Sequence, residues 1–419
     1  MSNTATATSR RLRGGAAIAV AMGLMNIATY GYTVVAAHAV GTEQFGEFSA
    51  LMGVLLVVNV LSLGLQATGA RRISAHPDQV VSIERVVLGV GLRSAVALGV
   101  LCLVLSPLFW GVLRLSSPLT AVLIALAAAP LTIMGAQAGV LQGEQRWEPL
   151  ALIYLCQGLG RVVFGVLLMV IWPNAFAAML GVAIGAWLPV IVGYIALRRP
   201  RIDPPPSEGH PGIDLLREVG RSSQALLAFF ALSNADILLA RAALPHDQAG
   251  LYAGGLILAK AILFLPQFVV VIVFPSMSRG ASRRILLMAL GTAATLGACG
   301  LLGILVLPDL ALVFVGGSDF GAISGQLWKF AIIGTLLSMI QLLVYSALAR
   351  RQGRAAVLIW TTLVVLVVGA FWTKHVTSLV TLVVTLDSVL FVALLVSALM
   401  ARPTPVPDPI DPALLQREG

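Results

Sequence analysis

The chain has 419 residues, of which 58% are apolar and only 11% charged, and its mean hydropathy is +0.96. That balance excludes a soluble protein of two or three domains and places most of the chain in lipid. The formal charge of +9 would suit nucleic acid, but the arginines sit in short clusters beside apolar runs, where anionic membrane lipids lie, so no nucleic-acid partner is expected.

Apolar runs of about twenty residues recur along the whole length, each long enough at 1.5 Å per residue to cross a ~30 Å hydrocarbon layer. Twelve helices are predicted, over residues 15–39, 47–66, 86–108, 118–142, 150–172, 175–197, 220–244, 250–275, 285–307, 323–349, 355–373 and 378–401. The first imitates a secretory signal, with Arg10, Arg11 and Arg13 ahead of it and Ala37-His38-Ala39 behind. Its length and its Asn26, Tyr30 and Thr33 favour a retained first helix. Pro130, Pro189 and Pro266 are candidate bends. Cys102, Cys156 and Cys299 all lie within apolar runs, an odd and scattered set that fits neither disulfides nor a metal site. No cofactor is expected.

Helices 1 and 2 are joined by the polar elbow Gly41-Thr42-Glu43-Gln44-Phe45-Gly46-Glu47-Phe48, too short for anything but a tight antiparallel turn. Pro245-His246-Asp247-Gln248-Ala249-Gly250-Leu251-Tyr252 repeats it 204 positions later, matching Gln44 with Gln248, Gly46 with Gly250 and Phe48 with Tyr252. A weaker echo links residues 141–146 to 349–354. An offset containing six helices returns the chain to the same side, so the halves are parallel repeats related by a two-fold axis along the membrane normal. The fold expected is therefore all-α and membrane-integral, with two six-helix lobes around a central cleft. The expected divisions are a first lobe over residues 1–197, a linker over 198–218 holding Pro204-Pro205-Pro206, a second lobe over 219–401, and a Pro-rich tail over 402–419.

Twenty of the 27 lysines and arginines fall at the N-terminus, in alternate connections and in the tail, against only Arg114 and Lys374 on the other side. By the positive-inside rule both termini and the linker are cytoplasmic, as in a multi-pass protein of the cell membrane.

Charges near the bilayer centre are costly and mark paired or hydrated sites. Arg161 lies ~17 Å into helix 5, too deep to snorkel, with no acid in its half and Gln157 one turn earlier on the same face. It either bonds to carbonyls freed near Pro130 or forms an anion site in a hydrated cavity. Arg93 lies ~10 Å into helix 3, within reach of snorkelling. Asp236 and Lys260 stand ~12 and ~15 Å below the second elbow, level enough to pair across the hairpin, structurally or with substrate or a coupling ion. Arg241 and Lys329 lie within two turns of the surface and are expected to snorkel. Asp387 is mid-depth in helix 12, with Thr381, Thr385 and Ser388 nearby and no partner evident. Polar stripes occur at Asn26-Tyr30-Thr33, Asn59-Ser62-Gln66 and Ser338-Gln341-Tyr345; Tyr30 corresponds to Asn234 under the offset, as expected of helices flanking a cleft. The seven intramembrane charges leave cations three in excess, a balance that prefers an anion.

These residues resemble the polysaccharide and oligosaccharide flippases of the multidrug/oligosaccharidyl-lipid/polysaccharide superfamily. GTEQFGEFSALMGVLLVVNVLSLGLQATGARRIS (Gly41–Ser74) is similar to their helix 1–2 turn, and GVLQGEQRWEPLALIYLCQGLGRVVFG (Gly139–Gly165) to their helix 4–5 segment, whose arginine matches Arg161. Pro308 to Arg354 resembles their helix 9–10 region. The second elbow departs from the first in lacking Gly-Thr. The resemblance implies a non-enzymatic, alternating-access carrier that moves a polyprenyl-diphosphate-linked glycan to the outer leaflet, with H+ or Na+ as a conceivable coupling ion. Its anion site would draw on Arg161, Lys260 and Arg93, with Gln157, Asn26, Tyr30 and Asn234 lining the cleft and Asp236 and Asp387 available for pairing or coupling. A multidrug antiporter of the same superfamily would need an acid-rich lobe. A membrane glycosyltransferase or polymerase would need catalytic groups in a long loop, whereas the longest connection on the arginine-poor side is about Pro308–Ala322. A pure scaffold would explain neither repeat nor buried charge.

The cation asymmetry is directly testable. A cysteine at Ser207, in a background lacking the native cysteines, should react with an impermeant maleimide only after cells are permeabilised. Labelling in intact cells would reverse the orientation.

Overall fold

The computed structural model describes residues 2–199, 212–264, 283–349 and 354–400. Pro266, residues 200–211 of the linker, residues 350–353 of the weaker echo and the 402–419 tail lie outside the described residues. In chain order the helices are α1 (Ser2–Val58), α2 (Val60–Ala75), α3 (Val80–Val104), α4 (Ser106–Val112), α5 (Pro118–Gly143), α6 (Trp147–Ile171), α7 (Ala175–Gly185) and α8 (Trp187–Leu197). The second half supplies α9 (Gly212–Ala243), α10 (His246–Phe264), α11 (Arg283–Val306), α12 (Pro308–Val315), α13 (Leu327–Ala349), α14 (Arg354–Ala370) and α15 (Val376–Met400). No strand occurs among the described residues, and nine helices there are long and apolar enough to cross a membrane. Most large apolar side chains on α3 and α15 that face away from the core stay exposed, such as Val96, Val100, Val392 and Val396, as lipid contact requires.

The element α1 is two helices in one, broken only at Gly41 (φ 74°, ψ 170°). Along a straight helix, residues 32 and 48 would stand ~24 Å apart. The Tyr32 and Phe48 rings instead meet edge-on with centroids 5.8 Å apart, so the chain reverses within one residue. The positive φ is what glycine alone adopts without steric cost. The second elbow turns between α9 and α10 at Leu244-Pro245, where Ala249 N–H donates to Pro245 O at 2.9 Å. Tyr252 Oη then donates to Asp236 Oδ2 across that hairpin at 3.0 Å. Asp236 and Tyr252 are the 204-offset counterparts of Tyr32 and Phe48, so the two hairpins share one geometry with different chemistry.

The matched glutamines show the same repetition. Gln44 Oε1 accepts from Ala175 N–H at 3.0 Å, at the start of α7. Gln248 Oε1 accepts from Val376 N–H at 3.2 Å, at the start of α15. Each elbow thus satisfies an orphan donor of its own half's sixth helix.

Several boundaries differ from expectation for identifiable reasons. The span expected over 175–197 is split at Ala186, because the Pro189 ring removes the amide that Gly185 O would accept and crowds that carbonyl. Pro130, by contrast, lies within an unbroken α5. Asn59 divides α1 from α2. Among the described residues helix α9 already covers 212–218, inside the expected linker. The expected 308–322 loop is helical: α12 ends at Gly316 (φ 137°) and Gly317 (φ 82°) and gives way to a 3-10 stretch over Gly317–Gln326.

Helices of each half pack chiefly on one another, α3 on α5 and α6 on α7 in the first, α11 on α13 and α14 on α15 in the second. Gly181 and Gly185, one turn apart on α7, let α6 approach to backbone contact at Gly165 and Gly160, the small-residue packing expected where lipid supplies no hydrophobic drive. The halves meet where α1 and α2 pack on α9 and where α1 packs on α10; Gly53 of α1 receives Ile237, and Gly64 of α2 receives Val219 and Ser223. At the arginine-rich end Arg71 and Arg72 both bond Glu218, the latter pair at 2.7 Å. At the elbow end Gly46 and Gly250 touch backbone to backbone; a Cβ on Gly46 would lie 2.9 Å from Gly250 N. The pseudo-two-fold axis therefore passes between these glycines.

Gly250→Ala should destabilise, since its methyl would overlap Thr42 O, at a cost of ~1–3 kcal/mol. Gly31→Ala, with nothing within 4 Å, should leave stability equal or higher. Thermal unfolding of the purified proteins in detergent checks the opposite signs.

Candidate functional site: buried charges in two unlike half-sites

Arg161 projects from the middle of α6 and is 7% exposed. Helix α6 is forced close to α1 there, because Gly158 abuts Met25 and Gly165 lies beneath the Tyr32 ring. Tyr32 Oη is committed to Ala178 O at 2.6 Å, which orients the ring within electrostatic reach of the guanidinium. Among the described residues Arg161 makes no hydrogen bond or ion pair, and its Nε is sealed from solvent without an acceptor. The alternative in which carbonyls near Pro130 satisfy it is not what the fold provides, since among the described residues no carbonyl of α5 accepts from Arg161.

A polar track leads to this arginine along α6. Gln66 Nε2 bonds Gln142 Oε1 at 2.9 Å and Tyr154 Oη at 2.6 Å. Tyr154, Gln157 and Arg161 then follow at helical spacing on one face. Asn26 and Tyr30 lie half-buried on α1. Arg93 does not join them. It is exposed on α3 beside the equally exposed Leu92 and Val96.

The second half holds a different arrangement. Lys260 Nζ donates to Ser233 O and to Asn234 Oδ1, both at 2.9 Å. Asp236 accepts from Ile237 N–H at 2.8 Å and from Tyr252 Oη at 3.0 Å. The expected direct ion pair between Asp236 and Lys260 is thus absent; each has its own partners because helix α9 presents Ser233 and Asn234 one turn nearer the lysine. Asn234 also faces Gly53 of the first half, which puts the Lys260 anchor at the seam between halves. Asp387 on α15 is 3% exposed, its Oδ2 has no hydrogen-bond partner, and its carboxyl lies within electrostatic reach of Asp236.

Arg241 is also corrected. It does not snorkel: it is 1% exposed and faces an equally buried Glu47 of the first half at 3.8 Å. Lys329 is half-exposed, with Nζ 3.3 Å from Thr381 Oγ1 and over the Trp328 ring. Among the described residues the interior therefore holds no cation excess. The first half buries Arg161 together with Glu47 and Glu84, and the second buries Arg241 with Asp236 and Asp387, with Lys260 partly buried beside them. Sequence reasoning missed Tyr32 and Glu47. Applying the 204 offset to Asp236 finds Tyr32; Glu47 stands at the first position of the expected 47–66 span and was left out of the intramembrane charge count. No group of His, Cys, Asp and Glu fit for a metal occurs among the described residues.

This architecture of elbowed helix pairs around a pseudo-two-fold is the fold of the MOP-superfamily transporters. The lipid II flippase MurJ in an inward closed conformation superposes with a TM-score of 0.72 at 12% identity, over 91% of this chain and 87% of that one. An inward-facing multidrug resistance MATE transporter gives 0.68 at 14% identity over 89% and 93%. A MOP transporter from Pyrococcus furiosus, described as having a binding pocket of reversed polarity that suggests a different function, gives 0.60 at 13% over 93% and 95%. None of the curated proteins matches the chain at a significant level. The family model described as polysaccharide biosynthesis protein matches residues 11–281, and the chain belongs to that family.

Tyr252→Phe should leave Asp236 Oδ2 without its donor, costing ~1–3 kcal/mol. Combined with Asp236→Asn, the loss should fall short of the sum of the single losses, because both changes remove one bond. Thermal unfolding of the four proteins checks this; strict additivity would dissolve the Asp236–Tyr252 unit.

Proposed function

We propose that this protein is an alternating-access flippase that carries a polyprenyl-diphosphate-linked oligosaccharide from the cytoplasmic to the outer leaflet for cell-surface polysaccharide synthesis. The observation that carries the proposal is Arg161, a deeply buried guanidinium with no acid or carbonyl bonded to it. A cation left so in a low-dielectric interior calls for an anionic guest, and a guanidinium presents a planar fork of donors suited to phosphate oxygens. Family membership supports a role in polysaccharide assembly, and the likeness to MurJ supports a lipid-borne cargo.

In this reading residues 1–197 and 219–401 move as two lobes, both termini and the linker are cytoplasmic, and the elbows lie at the outer face of the cell membrane. Gln157, Asn26 and Tyr30 line the approach to Arg161, and Lys260 with Asn234 meets the cargo across the seam. Asp236 and Asp387 form the coupling site for H+ or Na+, since two buried carboxyls within reach of each other cannot both stay ionised without a proton or cation. The same two acids favour a second reading, a cation-exporting antiporter, and the fate of Arg161 separates the two.

Arg161→Lys keeps the charge but loses the fork and should reduce transport partially; Arg161→Gln should abolish it at normal membrane abundance, with carrier-linked glycan accumulating in the inner leaflet. Complementation of surface glycan, paired with quantified abundance, checks this. Normal surface glycan from a well-expressed Arg161→Gln protein would make the arginine structural and return the antiporter to first place.

A further inference from the structure

At the elbow end the halves are joined by a cluster that the cargo site does not use. Glu47, on the first half's second helical arm, accepts from Ser116 N–H at 3.1 Å and Ser116 Oγ at 3.0 Å. Arg241, near the end of α9 in the second half, reaches back across the seam. It donates from Nε to Leu113 O and from Nη2 to Arg114 O, both at 2.9 Å, and stands 3.8 Å from Glu47 Oε2. Arg114 answers in the opposite direction, donating from Nε to Arg241 O at 3.0 Å and from Nη2 to the Arg241 and Leu244 carbonyls. It thereby caps the C-terminal carbonyls of α9, where a cation is favoured. Two helix-end segments, one from each half, are laced together by reciprocal arginines around one carboxylate.

We infer that Glu47, Arg114 and Arg241 form the outer gate of the transport cycle, an ionic clasp that closes the outer side and has to break for cargo to leave; this rests on the alternating-access reading above. Three features separate it from ordinary packing. Its arginine bonds all run between opposite halves, while Glu47 is anchored to Ser116 of its own half and faces Arg241 across the seam. It is incompletely satisfied: Arg241 Nη1 is buried without an acceptor, and Arg114 is held with φ 47°, a left-handed backbone unfavourable for a non-glycine residue. Opening would relieve both, hydrating the spare guanidinium donor and relaxing the backbone, so the closed state is held without being locked. Finally, the clasp exists on one side of the pseudo-two-fold only. The counterpart of Glu47 is Leu251 and that of Arg241 is Ala37, neither of them charged; elsewhere on the seam Phe45 and Phe320 meet edge to face, with centroids 6.0 Å apart. Closure is therefore charged on one flank and aromatic on the other. At the rim, His246 faces Glu43 at 3.1 Å on the same seam.

The test is a distance measurement on the full chain in nanodiscs, with the native cysteines replaced and spin labels at Leu119→Cys and Asp309→Cys, exposed elbow-side positions of opposite halves. The parent should show one short-distance population. Glu47→Gln should raise a longer-distance population at least about tenfold. Arg114→Gln, at a half-exposed residue that the protein tolerates more readily, should do so to a smaller extent. Phe45→Leu, on the aromatic flank, should shift it less than either charge change. Distance distributions unchanged by Glu47→Gln and Arg114→Gln in well-folded protein would overturn the clasp. The outcome is independent of cargo: a population shift with no effect of Arg161→Gln on surface glycan would keep the gate and discard the glycan, and the reverse would keep the glycan and discard the gate.

Discussion

The contact of Gly46 with Gly250 is the constraint from which the rest of this architecture follows. Two helical hairpins can share a two-fold axis inside a membrane only if their turns can approach it, and here the approach is backbone to backbone. Any side chain at either position would push the elbows apart and, through them, the helices that descend from each. Because both turns meet at this point, Gln44 and Gln248 can hold the first amides of α7 and α15 at matching places. Gly41 contributes the other half of the constraint, a positive φ that reverses the chain without a loop and keeps polar backbone out of the lipid.

Much of this was legible because lipid makes simple demands. Twelve apolar runs, the two elbows and the 204-residue offset are one-dimensional signals, and the helices they predict all have counterparts among the described residues. The breaks were less legible. Pro189 interrupts its helix and Pro130 does not, a difference that the sequence around the two prolines does not announce. The helical stretch over 212–218 was hidden because it carries Asp214, Arg217 and Glu218, which read as linker by composition. Glu218 is in fact held by Arg71 and Arg72 from the other half, a tertiary bond that no local pattern announces.

The charges were legible as an inventory and illegible as pairs. Depth placed Asp236 and Lys260 level, which holds, yet helix rotation gives the lysine to Ser233 and Asn234 and the aspartate to Tyr252. Arg241 looked free because Glu47, at the first position of the expected 47–66 span, was not counted among the buried charges. Pairing depends on azimuth and on contacts between halves, and hydropathy carries neither. What did transfer was the logic of cost. Arg161 was singled out because no acid shares its half, and the structure leaves its Nε without an acceptor.

The repeat finally shows how duplication can yield a machine rather than a symmetric bundle. One geometry, two facing residues across a hairpin, holds Tyr32 against Phe48 in one copy and Asp236 against Tyr252 in the other. The first keeps its hydroxyl on the Ala178 carbonyl and leaves a cation beside the ring; the second binds its hydroxyl to a carboxylate with a further carboxyl nearby. On the proposed function, unlike groups at matching positions let Arg161 meet the anionic headgroup while Asp236 and Asp387 meet the coupling cation. A carrier that must exchange an anionic headgroup for a proton or a metal cation needs that difference, because two identical lobes would compete for one ion and couple nothing. On the proposed function, the departure from symmetry in the side chains is what lets a symmetric frame do directional work.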